Sequence, residues 1–167
     1  MEIKDIERKA EEVLEAFGKR TLPIAIEEVA THFGLRIGKG PSEEFSGLLL
    51  RKDDSALIGI NDNESPQRQR FTIAHEIGHY LLHPAKEAFV DYRNSSIPRT
   101  PKEREADAFA AALLMPKKEI VRDYTAAMKG MAFDEGHFEK VVTLLANNYD
   151  VSEEAMKIRL MTLGTSS

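Results

Sequence analysis

Residues 75–79 read His-Glu-Ile-Gly-His and carry the pattern His-Glu-x-x-His within a predicted helix. The two imidazoles are four residues apart, so on a helix they lie on one face, one turn apart. This spacing lets His75 and His79 reach one tetrahedral zinc ion. Glu76 follows the first histidine directly, so it can face a water molecule beside the ion without being a ligand. The pattern therefore predicts a metal site in which Glu76 is the general base.

The residues around this motif predict a helix over about 65–83. Ser65 and Pro66 read as an N-cap followed by a proline at the first helical position, and Pro84 ends the segment. The apolar positions of this segment are those of a buried helix: Phe71, Ile73, Ala74, Ile77, Tyr80, Leu81 and Leu82. Polar side chains inside so apolar a helix need partners, which favours a metal site over two chance histidines on a solvated helix.

A catalytic zinc ion usually has three protein ligands and one open position. The chain has no cysteine, so the third ligand must be a histidine, an aspartate or a glutamate. Glu103 and Asp107 lie four apart on a predicted helix over about 102–114, and Glu103 could complete the site. Asp107 could accept a hydrogen bond from the far nitrogen of either histidine and fix its tautomer. Glu105 points to another side of this helix, about 160° away, and stays as the alternative ligand.

Two further residues of the motif helix need an interpretation. His83 lies one turn beyond His79 and is interpreted as a helix-end residue, because a fourth protein ligand would leave no position for water. Gly78 lies in mid-helix, which costs about 1 kcal/mol relative to alanine. We therefore expect another backbone to approach there, with the predicted hairpin as the candidate.

Composition places this chain among globular proteins. Its 167 residues suit one compact domain with a small appendage, and a hydrophobic content of 42% is ordinary for a soluble protein. The formal charge of −5 argues against general nucleic-acid binding. The absence of cysteine fits a reducing compartment. The N-terminus lacks a signal-peptide pattern, and no run approaches the roughly 18 apolar residues of a membrane span, so a cytoplasmic location is expected.

Apolar periodicity predicts an α+β fold that is mostly helical, with a small sheet of about three strands. Two strands, 45–50 and 56–60, are expected to form a hairpin, after a strand that begins near residue 35. Residues 84–102 contain three prolines and are predicted to be a mobile loop. We divide the chain into a domain over 1–130 and a helical appendage over 131–167 that packs on it.

Substrate contacts can be proposed from the same pattern. Either hairpin strand, 45–50 or 56–60, is a candidate sheet edge that an extended peptide could join, and a fully covered core hairpin is the alternative. Arg159, Tyr80 and Tyr124 are candidates to stabilise a developing oxyanion, and spacing does not choose among them.

Two segments together resemble a known family. "RQRFTIAHEIGHYLLH" at 68–83 and "EREADAFAAALLMP" at 103–116 are similar to the ImmA/IrrE family of zinc metallo-endopeptidases. Residues 22–37 and 46–61 look like its usual lead-in, and residues 145–164 look like its usual ending. The resemblance therefore extends over nearly the whole chain.

This resemblance implies a zincin-like fold with one Zn²⁺ ion in a thermolysin-like site, although Mn²⁺ or Fe²⁺ could occupy such ligands. By motif, the ligands fall on His75, His79 and Glu103, and the catalytic base falls on Glu76. The Glu-x-x-x-Asp spacing supports Glu103 over Glu105. The implied substrate is a helix-turn-helix repressor, whose cleavage releases stress-response or mobile-element genes.

Two other classes of function compete with this one. The first is a non-catalytic regulator or antitoxin-like module that uses the zinc fold to bind another protein, although the intact Glu76 favours an enzyme. The second is a DNA-binding regulator with a structural metal. The tail resembles a helix-turn-helix, but its second helix offers only Lys157 and Arg159 against Glu153 and Glu154, which argues against DNA readout. The sequence sets no oligomeric state.

Overall fold

The computed structural model describes residues 1–85, 88–93, 96, 98–130 and 134–164. It confirms the predicted α+β class. The helices of the described residues are α1 (Ile3–Phe17), α2 (Ile26–His32), α3 (Pro66–Leu82), α4 (Pro101–Leu114), α5 (Lys117–Met128), α6 (Glu135–Tyr149) and α7 (Glu153–Gly164). The strands are β1 (Leu35–Gly40), β2 (Phe45–Lys52), β3 (Ser55–Asn61) and β4 (Ala88–Tyr92). Among the described helices, none combines the length and the apolar character that crossing a bilayer requires.

The strands form one sheet in the order β1-β3-β2-β4. The pair β2 and β3 is the predicted antiparallel hairpin, and Asp53 takes a left-handed conformation at its turn (φ 52°). β1 runs parallel to β3. Leu49 at the centre of β2 pairs with Ile58 on one side and Phe89 on the other, and all three are buried.

The fourth strand corrects the prediction of a mobile loop over 84–102, because β4 lies within that segment and pairs antiparallel with β2. The flanking prolines lie outside the strand, so its backbone is free to pair. Its position also corrects the predicted sheet edge: β2 and β3 are both internal, and the edges are β1 and β4. Of the two alternatives for the hairpin, a sheet edge or a covered hairpin, the strand order therefore favours the covered hairpin.

Helices α3 and α4 pack against each other and carry the predicted site. Ser65 caps α3 by accepting from the Arg68 backbone N–H, and Thr100 caps α4 by accepting from that of Glu103. A Cβ atom on Gly78 would lie 3.1 Å from Phe109 Cδ1 and 3.3 Å from Ala106 Cα. A backbone does approach Gly78 closely, but it belongs to α4 and not to the hairpin.

The C-terminal helices contribute to the same hydrophobic core as the rest of the chain, through residues such as Val142, Leu145 and Met156. Arg159 of α7 is buried, bonds the carboxylate of Glu7 in α1, and donates from Nε to the Met115 carbonyl at 3.0 Å. Its guanidinium is thereby occupied, which removes Arg159 from the three candidates for stabilising an oxyanion. The proposed boundary at 130/131 stays a prediction, and residues 131–133 lie outside the described part.

Candidate metal centre

Three of the predicted site residues converge on one point. Nε2 of His75 lies 3.1 Å from Glu103 Oε2, and Nε2 of His79 lies 3.2 Å from Glu103 Oε1. One ligand atom from each residue lies within 4.8 Å of the others. Both imidazoles are buried, and the glutamate side chain is 18% exposed. A cation between these atoms would find two neutral nitrogens and one carboxylate oxygen, which is a donor set that suits zinc.

Two helix starts place these side chains. α3 begins at the Ser65 cap, so the motif falls in the middle of the helix, and both histidines lie on one face. α4 begins at the Thr100 cap, which puts Glu103 in the first turn. The close contact at Gly78 brings α4 near enough for Glu103 to reach both imidazoles.

Asp107 lies beside the first histidine of the motif, with Oδ1 2.9 Å from Nδ1 of His75. A carboxylate at this position accepts a hydrogen bond from the Nδ1–H group and leaves Nε2 to face the centre. Burial by itself lowers the pKa of His75, but the hydrogen bonds to Asp107 and Glu103 outweigh burial and raise the pKa to about 10. In the metal-free chain His75 is therefore protonated at neutral pH.

The pKa values of the other two converging residues, His79 and Glu103, are lowered. Burial lowers the pKa of His79, against the opposing hydrogen bond to Glu103. Burial would raise the pKa of Glu103, but its hydrogen bonds with His75 and His79 prevail and hold that pKa well below its usual value. Glu103 is therefore ionised throughout the range in which proteins are normally handled.

Glu76 is fully buried, and neither oxygen of its carboxylate has a hydrogen-bond partner among the described residues. Burial raises the pKa of this carboxyl to about 8. A buried polar group without a partner is rare and calls for an explanation. A water molecule between Glu76 and an ion held by the three converging residues would supply the missing partner. On this observation, the residues present fit a metal ion.

Glu105, the alternative ligand, lies apart from the three converging residues. Its Oε2 is 2.9 Å from Nε2 of His83, and its other oxygen contacts the α-amino group of Met1. His83 caps the end of α3, as its interpretation as a helix-end residue requires. Its Nδ1 also lies 3.0 Å from Nδ1 of His79, a contact that we did not predict. The spacing of four residues could have indicated it.

A cleft of about 840 Å³ lies between β4 and the start of α4. Its lining includes Asp91, Arg68, Arg99 and Glu103. Nη1 of Arg99 lies 3.4 Å from both Asp91 Oδ1 and Glu103 Oε2, and Nη2 of Arg68 lies 3.1 Å from Asp91 Oδ2. The buried Asp91 thus holds two arginines at the cleft, and nothing in the sequence pattern indicated this cluster. For Tyr80 and Tyr124 the role at an oxyanion stays a prediction.

Comparisons with known proteins agree with the geometry. Residues 30–161 match the family described as IrrE N-terminal-like domain, peptidase M78. The chain is 32% identical over 119 residues to Metallopeptidase ImmA of Bacillus subtilis (strain 168), covering 70% of this chain and 67% of that protein. It also shares its fold with a Mycobacterium tuberculosis transcriptional regulator, with a TM-score of 0.64 at 17% identity. That match covers 92% of this chain and 45% of the regulator, so this chain corresponds to less than half of the larger protein.

Proposed function

Because the chain belongs to the ImmA/IrrE family, whose IrrE N-terminal-like domain it matches over residues 30–161, we propose that it is a zinc-dependent endopeptidase that cuts a specific bond in a protein. The predicted family is confirmed, and membership supports a metallopeptidase-like function. The observation that carries the proposal is the buried, partnerless carboxylate of Glu76 beside three converging ligand atoms. A purely structural metal site has no use for such a group.

His75, His79 and Glu103 would hold the ion and leave its fourth position open. Zinc is the proposed metal, and Mn²⁺ or Fe²⁺ could bind the same donors. When bound, such an ion polarises a carbonyl oxygen and lowers the pKa of a nearby water molecule. Asp107 would keep His75 in the tautomer that presents Nε2 to the centre.

Glu76 would perform the proton transfers. Its carboxylate takes a proton from the attacking water and later gives it to the leaving amine. Burial favours the neutral form of this carboxyl, so Glu76 retains the proton until it passes to the leaving amine. Gly47 of β2 lies close to this carboxylate, since a Cβ atom there would be 3.3 Å from Glu76 Oε1.

The edge strand β4 would bind the substrate. Among the described strands it pairs with β2 alone, and residues 89–92 line the cleft that also contains Glu103. An extended peptide could add to this edge through main-chain hydrogen bonds, with its side chains in the cleft. This places the peptide on β4 in the proposal, and not on either hairpin strand.

The family resemblance supports a helix-turn-helix repressor as the substrate. Its cleavage in the cytoplasm would relieve repression of stress-response or mobile-element genes. The basic residues of α7 do not favour DNA binding by the tail, because Arg159 is buried against Glu7 and Lys157 bonds Glu139. The partner in this proposal is therefore a protein.

The test is incubation of the product of a neighbouring helix-turn-helix gene with the wild-type chain and with Glu76→Gln, each with and without added zinc. We expect one defined cut by the zinc-loaded wild type and none by Glu76→Gln, although both bind the metal. Glu15→Gln, at an exposed position of α1, is the matched control and should cut normally. Equal cutting by Glu76→Gln overturns the assigned base. Tight complex formation without any cutting favours the binding module.

A further inference from the structure

Among the residues that the structure describes, no carboxylate meets the outer nitrogen of His79, whereas Asp107 meets that of His75. Its Nδ1 instead lies 3.0 Å from Nδ1 of His83, and Nε2 of His83 lies 2.9 Å from Glu105 Oε2. The three side chains form an unbroken hydrogen-bonded series from the centre to the protein surface. From this geometry we infer that His83 and Glu105 are positioning residues that fix the tautomer and ring orientation of His79.

The direction of the protons follows from the chemistry of the two ends. Glu105 ends the series with a carboxylate oxygen against Nε2 of His83, and a carboxylate can only accept. Nε2 of His83 therefore donates, which leaves Nδ1 of a neutral His83 as an acceptor. His79 must then donate from its own Nδ1. Its Nε2 is thereby left with a lone pair for an ion at the centre, which would take the place of the contact between His79 and Glu103.

The surroundings restrict these rings to this arrangement. The ring of Phe89 stacks on His79 with centroids 3.8 Å apart and an angle of 15° between planes, and it also contacts His83 at 5.6 Å. The His83 side chain is 5% exposed, whereas that of Glu105 is 20% exposed. His83 thus links the carboxylate of Glu105, near the surface, to the buried imidazole of His79 through hydrogen bonds.

The same helix supplies both outer carboxylates. Glu105 and Asp107 lie two residues apart on α4. Asp107 reaches His75 directly, whereas Glu105 reaches His79 only through His83. Each proposed metal ligand of α3 is therefore held by its own acceptor, and α4 contributes three acids in five residues: Glu103, Glu105 and Asp107.

This inference rests on the proposed function, since it assigns residues that support the metal site. The central variant is His83→Leu, which keeps an apolar side chain against Phe89 but removes the acceptor for His79. We expect it to weaken zinc binding by about 10- to 100-fold, the usual effect of losing a partner of a metal-bound histidine. His83→Asn places an amide oxygen near the position of Nδ1 and should recover most of the affinity. His32→Leu, which removes a histidine at an exposed position of α2, should bind zinc as the wild type does.

Two readouts keep this inference separate from the proposed function. The zinc dissociation constant is measured by chelator competition for each variant, and the nitrogen that carries the proton of His79 is read by ¹⁵N NMR in metal-free Glu103→Ala, in which no carboxylate faces Nε2 of His79. A proton on Nδ1 of His79, together with the loss and recovery of affinity above, supports the inference. A proton on Nε2, or unchanged affinity in His83→Leu, overturns it. A wild type that binds no zinc contradicts the proposed function, and the NMR result then decides the inference by itself, including where His83→Leu does not fold.

Discussion

A Cβ atom on Gly47 would lie only 2.2 Å from Cγ2 of Thr72, so strand β2 and helix α3 meet at a distance that no other residue permits at this position. Thr72 is fully buried and donates from Oγ1 to the Arg68 carbonyl at 2.9 Å. As a β-branched residue in a helix it has few other rotamers, so it cannot move aside at low cost.

We therefore expect Gly47→Ala to destabilise the fold by about 1–3 kcal/mol, the usual cost of an extra carbon in a filled core. The displaced helix carries Glu76, so peptide cleavage should fall as well. Urea unfolding measures the first effect. Gly38→Ala is the matched control, because its Cβ would meet Leu57 Cδ1 at an ordinary 3.8 Å. Equal stability of the two variants would contradict the close contact.

Gly78→Ala tests the contact between α3 and α4. Alanine is the better helix former by about 1 kcal/mol, so a free position would be stabilised. Here the new methyl group would lie 3.3 Å from Ala106 Cα, a backbone atom that cannot rotate away. We expect net destabilisation and weaker metal binding, because α4 must shift and carries Glu103 with it. Thermal unfolding and a zinc titration measure the two effects, and a more stable variant with normal zinc affinity would refute the prediction.

Metal binding should release protons. The pKa of His75 is raised to about 10 in the metal-free chain, so at pH 7 the ring is protonated and must lose a proton before it can bind an ion. We expect at least one proton released at pH 7, with affinity that falls by about tenfold per pH unit on acidification and levels off above pH 10. Calorimetry in two buffers with different ionisation enthalpies counts the protons. An identical apparent enthalpy in both buffers would show that His75 is neutral beforehand.

Tyr149→Phe tests the attachment of the C-terminal helices. The buried Tyr149 donates from its hydroxyl to Asp123 Oδ2 of α5 at 2.6 Å. Loss of a hydrogen bond to a charged group should cost about 1.5–3 kcal/mol at neutral pH. Guanidinium unfolding measures the cost, and Tyr92→Phe, at an exposed position of β4, is the matched control.

This cost should depend on pH. The hydrogen bond from Arg122, and then that from Tyr149, hold the pKa of Asp123 below its ordinary value of 3.8. A carboxyl whose pKa is lowered in the folded state contributes stability above its unfolded pKa and loses it as the pH falls through the folded value. The difference between wild type and Tyr149→Phe should therefore shrink below about pH 3.8. A difference that stays constant down to pH 2 would exclude the charge of Asp123 as its source.

Local signals in the sequence were sufficient for most of the helices and for the hairpin. Ser65 before Pro66 correctly marked the start of α3, and the apolar alternation marked β2 and β3. The prediction missed β4 for two reasons. The strand has only five residues, in a segment that contains several prolines. One of its two buried positions is Asp91, a charged residue that obscures the apolar alternation. Asp91 is paired with Arg68, which lies 23 residues away in the chain.

The candidate site was likewise predictable where it depends on local spacing, and not where it depends on contacts between distant segments. His75, Glu76 and His79 follow from spacing within one helix, and helix spacing also favoured Glu103 over Glu105, a choice that the family resemblance supported. Contacts between distant segments gave no signal. Nothing in the sequence indicated that Arg159 pairs with Glu7, which lies 152 residues away in the chain. His83 had the correct spacing to meet His79, yet its second partner depends on how α3 and α4 pack.

The packing of α4 on α3 has a consequence for the thermodynamics of the whole chain. Glu103 and the two imidazoles come from segments more than twenty residues apart, so their convergence exists only in the native state. An ion bound there stabilises that state by mass action, in proportion to the logarithm of its free concentration. The midpoint of heat denaturation would then report how much zinc the surrounding medium supplies.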